Sequence, residues 1–139
     1  MPIVQDSIQL DTRGDSDIKD ITSAVDRSVK ASALQHGTVT PFVPGSTAGL
    51  TTLEYEPGLV KDLPVAFDRI APRRHRYAHD AAWHDGNGHA HVQAALLGPS
   101  LTVPFSDGNL LLGTWQQIVL VDFDNRPRQR EVTVQITGE

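Results

Sequence analysis

The second half of the chain carries tight-turn signals at short intervals, and their spacing limits what it can fold into. Gly98-Pro99, Asp107-Gly108 and Asn125-Arg126-Pro127 mark three turns, and an Asp-Gly pair between apolar runs is typical of a β-hairpin. Residues 132–136 alternate between apolar and polar, which is the pattern of a half-buried strand. Strands joined by tight turns pair in opposite directions. The pattern therefore predicts a mainly antiparallel sheet from residue 89 onward.

The first half of the chain mixes strand and helix signals. Strands are predicted where β-branched and aromatic residues concentrate, and helices where apolar residues recur every three or four positions. The predicted elements are a strand at 3–12, a helix at about 18–34, strands at 38–43 and 47–54, a helix at 59–70 that Pro64 kinks or restarts, and an irregular segment at 71–88. We expect a single α+β domain over residues 1–139, a mainly antiparallel β-sheet or sandwich covered by two helices.

The composition excludes several classes of protein. The 139 residues include no cysteine, so disulfides, thiolate zinc sites and cysteine nucleophiles are ruled out. Acidic residues outnumber basic ones by 17 to 12, which disfavours a general nucleic-acid binder. No apolar run approaches the roughly 20 residues of a membrane span. The first residues have neither the basic head nor the apolar core of a signal peptide. We expect a cytoplasmic protein with no nucleic-acid or membrane partner.

Five of the six histidines lie between His75 and His91. If residues 89–97 form a strand, His89 and His91 point to one face about 7 Å apart and can bind one ion. His79 precedes them and can supply a third ligand. Imidazole-rich sites favour zinc, with iron or manganese as alternatives, over magnesium or calcium. The spacing predicts a divalent-metal site, zinc first, with His79, His89 and His91 as ligands.

Other interpretations of these residues stay open from the sequence alone. The run 89–97 is rich in helix-forming residues, and in a helix the side chains at i and i+2 diverge. A His-x-His pair also occurs without metal. We assign His84 as a fourth ligand or proton carrier, and Glu54 or Asp62 as the acid–base group. A solvated helix entrance explains the two carboxylates equally well.

Small and basic residues supply candidates for an anion site. The loop 44–49 can offer backbone N–H groups and hydroxyls to an anion, although it lacks the lysine and the spacing of a P-loop. Arginines cluster at 73–76 and at 126–130, where they could hold one phosphate or simply be solvated. We assign four residues to binding a small phosphorylated substrate. These are Ser46, Thr47, Arg76 and Gln116.

Longer motifs resemble those of the YjbQ family over about residues 38–139. They are GSTAGLTTLEYEPGLVKDL, YAH, WHDGNGHAHVQAALLGPSLTVPF and LLLGTWQQIVLVDFD. The family has been credited with a secondary thiamine-phosphate synthase activity. The resemblance implies this as a side activity, with magnesium as the ion for pyrophosphate chemistry. It also implies a compact α+β fold that assembles as a homotrimer, with its pocket at or near subunit contacts.

The resemblance also implies functional roles for particular residues. They are Thr47, Glu54, Asp62, His79, His91, Ser100, Thr114 and Gln116. The family pattern histidine-threonine-threonine-alanine falls on residues 45–48, where this chain has Gly45, so one family histidine is missing. His84 and His89 are additions of this chain and are candidates to replace the lost imidazole.

These features together predict a metal-dependent enzyme that acts on a small phosphorylated molecule, with the side activity that the resemblance implies. The alternative is a non-catalytic trimeric module that binds a metal or another ligand. A closed four-ligand metal site would indicate the module, whereas an open coordination position would indicate catalysis. A third interpretation is a structural or interaction protein whose histidines are incidental.

Overall fold

Turn residues divide the chain into eight strands and four helices, and the structure, a computed structural model, describes all residues from Met1 to Glu139. The strands are β1 (Ile3–Thr12), β2 (Asp17–Asp20), β3 (Gly37–Phe42), β4 (Ala48–Leu53), β5 (Val103–Ser106), β6 (Asn109–Leu110), β7 (Gln117–Asp122) and β8 (Arg128–Gly138). The helices are α1 (Thr22–Ser32), α2 (Pro57–Ile70), α3 (Ala78–Trp83) and α4 (Gly88–Leu97). None of the helices combines the length and the apolarity that crossing a membrane requires.

The strands form two sheets in which every neighbouring pair is antiparallel. The larger sheet has the order β1-β8-β3-β5-β6 and the smaller one β2-β7-β4. Asp107 and Gly108, with φ of 53° and 73°, form the predicted hairpin turn between β5 and β6. Positive φ at both central residues matches the twist of a two-residue hairpin. The prediction of an α+β domain with a mainly antiparallel sheet is confirmed.

β7 is buried on both faces and separates two hydrophobic cores. Ile118 and Leu120 belong to the first core, which joins α1 to strands of both sheets. Val119, Val121 and Phe123 belong to the second core, where α2 and α4 pack on the smaller sheet. Successive side chains of a strand point to opposite faces, so one strand serves both cores. The positions of α2 and α4 therefore depend on the second core.

The helix predicted over 18–34 is wrong in its first turn. β2 pairs with β7 there, and α1 begins only at Thr22. Ile18 and Ile21 are both buried, but they belong to different cores. The apparent helical spacing came from a short strand followed directly by a helix. Pairing with a buried strand outweighs the weak local helix signal.

The strand predicted from residue 89 is also wrong, because Gly88–Leu97 forms α4. Ala90 and Ala94, one helical turn apart, pack into the second core and hold this helix against the sheet. The segment 71–88, predicted to be irregular, contains α3. The domain therefore has four helices rather than two, and the histidines lie on and around two short helices.

The helix predicted at 59–70 is confirmed as part of α2, which begins two residues earlier and continues through Pro64. The carboxylate of Glu56 accepts hydrogen bonds from the backbone N–H groups of Gly58 and Leu59. Pro57 occupies the first helical position, where a missing N–H does no harm. Capping by a side-chain oxygen thus sets the start of the helix.

Candidate functional site

A buried polar network lies where β7 ends. Asp122 and Asp124 are both fully buried. Arg130 donates from Nε and Nη2 to Asp122 at 2.7 and 2.9 Å, and from Nη2 to the Thr47 hydroxyl at 2.7 Å. Arg128 donates from Nε to Asp124 Oδ2 at 2.8 Å. Buried charges persist only when they are paired and hydrogen-bonded, so this network fixes β8 and the loop carrying Thr47 against the end of β7.

Asp124 stays ionised despite its burial. Burial by itself raises the pKa of a carboxyl group. Hydrogen bonds from the Asn125 backbone N–H and the Asn87 side-chain amide oppose that effect. Arg128 and Thr47 donate two more, and the four donors hold the pKa of Asp124 below its ordinary value. The site therefore contains a fixed negative charge that orients the Arg128 guanidinium.

His79 of α3 and His91 of α4 form a close pair near this network. Their ring centroids are 4.2 Å apart and the rings are inclined by 49°. The Nε2 atom of His79 is buried without a hydrogen-bond partner and lies 3.9 Å from Oδ2 of Asp85. A buried ring nitrogen without a partner is unfavourable unless a ligand, an ion or a water binds it. The pair therefore presents a nitrogen atom to an incoming group.

The pKa of His91 lies below its ordinary value of 6.5. Burial is the main cause, and the neighbouring His79 adds to it because two imidazolium charges so close would repel each other. Asp124 and Asp85 act in the opposite direction without compensating. His91 is therefore neutral at pH 7, which is the form that binds a metal or accepts a proton.

Two cavities adjoin the histidine pair. The first, of about 390 Å³, has Gly45 and Ser46 on one side and His91 on the other. The second, of about 260 Å³, is lined by polar residues alone. They are Asp85, Asn87, Asn125, Arg126 and Arg128. His91 lines the first cavity, and Asp85 of the second cavity lies 3.9 Å from His79, so each cavity has a lining residue in or beside the pair.

His89 does not join His79 and His91. Residues two apart in a helix are rotated by roughly 200°, so His89 and His91 leave α4 on nearly opposite sides and line different cavities. The predicted convergence of three imidazoles required a strand and fails with it. His84 is exposed at the C-cap of α3 with φ of 60°, and the preceding Trp83 is exposed as well. The prediction that His89 replaces the missing family histidine is therefore wrong for a site formed by a single chain.

Three other residues assigned to the site lie elsewhere in the chain. Glu54 follows β4 at the end that pairs with Gln117, and Gln116 binds the same end of β4. The histidine pair lies at the other end of β7, and six residues of strand place the two ends roughly 17 Å apart. Asp62 is exposed on α2 and lines neither cavity. These side chains do not reach the histidine pair of their own chain.

Some of the predicted anion-binding residues lie near the histidine pair and others do not. Ser46 lines the first cavity, whereas the buried Thr47 hydroxyl is taken up by the network below it. Arg76 is exposed and lies outside both cavities. Arg126 and Arg128 line the second cavity, although the sequence showed them only as part of a basic cluster. The tight turn before β8 places both of them beside Asp85, which sequence spacing did not indicate.

The residues around the pair fit a divalent metal in part. No group of three or more His, Cys, Asp or Glu side chains in the structure is arranged to hold a metal ion. His79 and His91 nevertheless offer two imidazoles, one with a partnerless buried nitrogen, next to the carboxylate of Asp85. Two nitrogens and one oxygen are donors that zinc, iron and manganese accept. A third ligand would come from a shift of Asp85, from a substrate or from another subunit.

We expect the stability of the protein to fall on acidification below about pH 6.5. Burial is the main cause that holds the pKa values of His89 and His91 below 6.5 in the folded chain. As the pH falls, the unfolded chain binds protons first, so the free energy of unfolding is fully retained above the ordinary pKa and decreases below it.

Urea unfolding followed by circular dichroism at several pH values between about 5 and 8 measures this dependence. The double variant His89→Gln/His91→Gln should show a flatter profile, whatever its absolute stability. Equal slopes for the two proteins would mean that these histidines do not carry the effect.

A polar site at the end of a central strand, with a histidine pair on two short helices, defines a class of small α+β domains built from two antiparallel sheets. The chain belongs to the YjbQ-like UPF0047 family. The family described as "UPF0047 protein YjbQ-like" matches residues 6–139, which confirms the resemblance seen in the sequence motifs.

Relatives of this family match the chain over most of their own length. A UPF0047 protein of Archaeoglobus fulgidus is 40% identical over 118 residues, which cover 85% of this chain and 89% of that protein. A UPF0047 protein of Mycobacterium tuberculosis H37Rv is 40% identical over 126 residues, covering 85% and 94%. A crystal structure of a YbjQ-like protein of unknown function from Sulfolobus solfataricus matches with a TM-score of 0.94, 33% identity and 99% coverage of both chains. A hypothetical protein from Aeropyrum pernix matches with a TM-score of 0.91 and 29% identity over 98% of this chain and 99% of that one.

Proposed function

We propose that the chain is an enzyme that acts on a small phosphorylated molecule at the His79–His91 pair, with a divalent metal, zinc first, as its cofactor. The position of Asp85 carries the proposal. Its carboxylate lies 3.9 Å from His79 Nε2 and lines the same cavity as Arg126 and Arg128. If these arginines bind the phosphate group of a substrate, the substrate atoms next to that group would lie beside the histidine pair.

The arginine side of the second cavity suits a phosphate group. Arg126 is exposed and takes part in none of the ion pairs, so its N–H groups are available to a ligand. Asp124 holds Arg128 through Nη2 at 2.7 Å, which orients the guanidinium. The Oδ1 atom of Asn87 is buried without a hydrogen-bond partner and can accept a hydrogen bond from a substrate hydroxyl or a water. Donors and an acceptor thus surround one small polar volume.

The histidine pair supplies the reactive groups of the proposal. Neutral His91 can bind a metal through a ring nitrogen, and His79 presents its partnerless Nε2 atom beside Asp85. Both rings would hold the metal, which would lower the pKa of a bound water and polarise a phosphoryl oxygen. Iron and manganese suit the same donors. The role of His84 as a fourth ligand or proton carrier stays a prediction.

Thiamine-phosphate synthesis, the activity that the family resemblance implies, is a side activity in this proposal. That reaction needs magnesium and carboxylates to hold a departing pyrophosphate. Glu54 and Asp62 lie apart from Asp85, so the chain does not gather the carboxylates for magnesium in one place. Hydrolysis or transfer assisted by the histidine pair has more support.

A homotrimer would complete this site. The apolar side chains of Leu96, Leu111 and Trp115 are exposed, and burial in subunit contacts would remove them from water. Trp115 and Glu54 line one surface cavity, and Gln116 follows Trp115 in sequence. If Trp115 of one subunit packs against the exposed Leu96 of the next, Glu54 and Gln116 would approach the neighbouring α4, which carries His91. The cytoplasmic location stays a prediction.

Elemental analysis of untagged protein purified without chelator tests the metal. We expect about one equivalent of zinc, iron or manganese per chain, and its loss in His79→Gln/His91→Gln. His36→Gln is the matched control, because His36 is exposed and lies near Asp107, away from the site. A wild-type protein that takes up none of these metals on titration would contradict the metal part of the proposal.

Hydrolysis of a panel of small phosphate esters tests the enzyme. We expect His91→Gln to lower kcat/KM at least about 100-fold. Arg126→Gln should raise KM about tenfold with a smaller effect on kcat, because it removes binding rather than chemistry. The His36→Gln control should keep wild-type activity. Full activity of His91→Gln would exclude this site, and bound metal without turnover of any ester would favour the non-catalytic trimeric module.

A further inference from the structure

A larger cavity lies on the other side of α4 from the histidine pair. Its volume is about 550 Å³, and it is bounded by the end of α2, the segment 72–74, the turn before β2 and α4 itself. His89 and Gln93 of α4 line this cavity, whereas His91 and Ala95 line the cavity of the proposed active site. Residues four apart share one face of a helix. The two cavities therefore use two different faces of α4.

His89 is a buried residue in the lining of this larger cavity. Its side chain is only 2% exposed, and neither Nδ1 nor Nε2 has a hydrogen-bond partner. A neutral imidazole has one donor and one acceptor, and leaving both unpaired is unfavourable. Such a side chain is explained where a ligand supplies the missing partners.

Three exposed arginines line the same cavity. Arg73 pairs with Asp15 at 2.9 Å, but these side chains are 52% and 54% exposed. An exposed pair contributes little to stability, so a doubly charged anion can replace Asp15 on Arg73 with little loss. Arg69 and Arg74 also line the cavity and take part in none of the ion pairs. The lining therefore contains three guanidinium groups but only two carboxylates, those of Asp15 and Asp68.

We propose that this cavity binds the phosphate group of a small molecule between the three arginines and His89. Guanidinium groups match phosphate oxygens in geometry as well as in charge, and the imidazole of His89 adds an N–H donor. A cation is disfavoured as the occupant, because the arginines repel it and His89 is the sole imidazole of the lining. The volume lies within the range of small-molecule sites. Pro64 and Val65 offer an apolar surface to the rest of the ligand.

This site is independent of the proposed active site, and NMR separates the two. Titration of the full chain with inorganic phosphate, at constant ionic strength kept with chloride, is followed at the imidazole signals of His89 and His91. We expect a saturable shift of His89. The variant Arg69→Gln/Arg74→Gln should weaken the response of His89 at least about fivefold and leave that of His91 unchanged.

The matched control is Arg27→Gln/Lys61→Gln, which removes two exposed positive charges outside this cavity. Its His89 response should equal that of the wild type. The proposal is overturned if His89 shows no saturable shift up to about 50 mM phosphate, or if both double variants weaken it equally.

A phosphomonoester identifies the source of the phosphate group. Adenosine monophosphate is titrated in the same way. Binding at least about tenfold tighter than inorganic phosphate assigns the cavity to a phosphorylated metabolite, and equal affinities assign it to free phosphate.

The variant His89→Leu supplies a second measurement that does not depend on the arginines. It removes the unpaired ring nitrogens, so the protein without phosphate should have a higher Tm than the wild type. The rise in Tm that phosphate produces should shrink in the variant. A lower Tm without phosphate, or an undiminished effect of phosphate, would overturn the role of His89.

Discussion

Replacing Arg130 with methionine is expected to lower the free energy of unfolding by about 3–5 kcal/mol. The Arg130 side chain is about nine-tenths buried and makes two hydrogen bonds to Asp122, whose carboxylate is fully buried. Without the guanidinium, Asp122 keeps only the Thr12 hydroxyl and the Asp124 backbone N–H as donors. A charge left in the interior with so few partners must take up a proton or admit water, and both destabilise the fold.

Urea unfolding followed by circular dichroism measures the effect, and Lys30→Met is the matched control. The Lys30–Asp26 pair has a similar length of 2.7 Å but lies at the surface, so its loss should amount to less than about 1 kcal/mol. The double variant Arg130→Met/Asp122→Leu should recover part of the loss, because no buried charge is then left unpaired. Equal effects of Arg130→Met and Lys30→Met would disprove the role given to the buried network.

Phe123→Ala should cause a loss of similar size, about 3–5 kcal/mol. The ring of Phe123 is fully buried and lies 5.0 Å from that of Phe67 in α2. It also shares the second core with Ala90 and Ala94 of α4. Removing it opens a cavity where both helices meet the smaller sheet. Faster hydrogen exchange in α4 should accompany the loss, because that helix positions His91.

Ile70→Ala is the control for this prediction. Ile70 is an apolar residue of α2 whose side chain is exposed, so its truncation should change the free energy of unfolding by less than about 0.5 kcal/mol. A loss for Phe123→Ala that is no larger than that would mean that the second core does not hold the helices.

The antiparallel sheets were predictable because turn chemistry and alternation act locally. The Asp107-Gly108 turn and the strand over 132–136 can each be recognised from neighbouring residues alone. The errors at β2 and α4 arose where local signals compete. The run 89–97 carries both a His-x-His alternation and strong helix formers, and packing of Ala90 and Ala94 against a distant sheet favours the helix.

The site was predictable only in part. His79 and His91 do meet, although their role as ligands stays a prediction. The buried network escaped prediction because its partners are distant in sequence. Thr12 lies 110 residues from Asp122, and Thr47 lies 77 residues from Asp124. A local pattern of alternating acidic residues looks the same on a solvated strand as on one covered by matching charges.

The surface positions of both tryptophans have a spectroscopic consequence. Trp83 and Trp115 are 70% and 74% exposed in the single chain, so the emission of a monomer should already resemble that of indole in water. Global unfolding should then change the emission little, and intrinsic fluorescence becomes a reporter of local events instead. Trp83 lies one turn from His79 on α3 and is suited to report occupancy near the histidine pair. Trp115 would report the subunit association that we propose, because such a contact would bury it, and single Trp→Phe variants would separate the two signals.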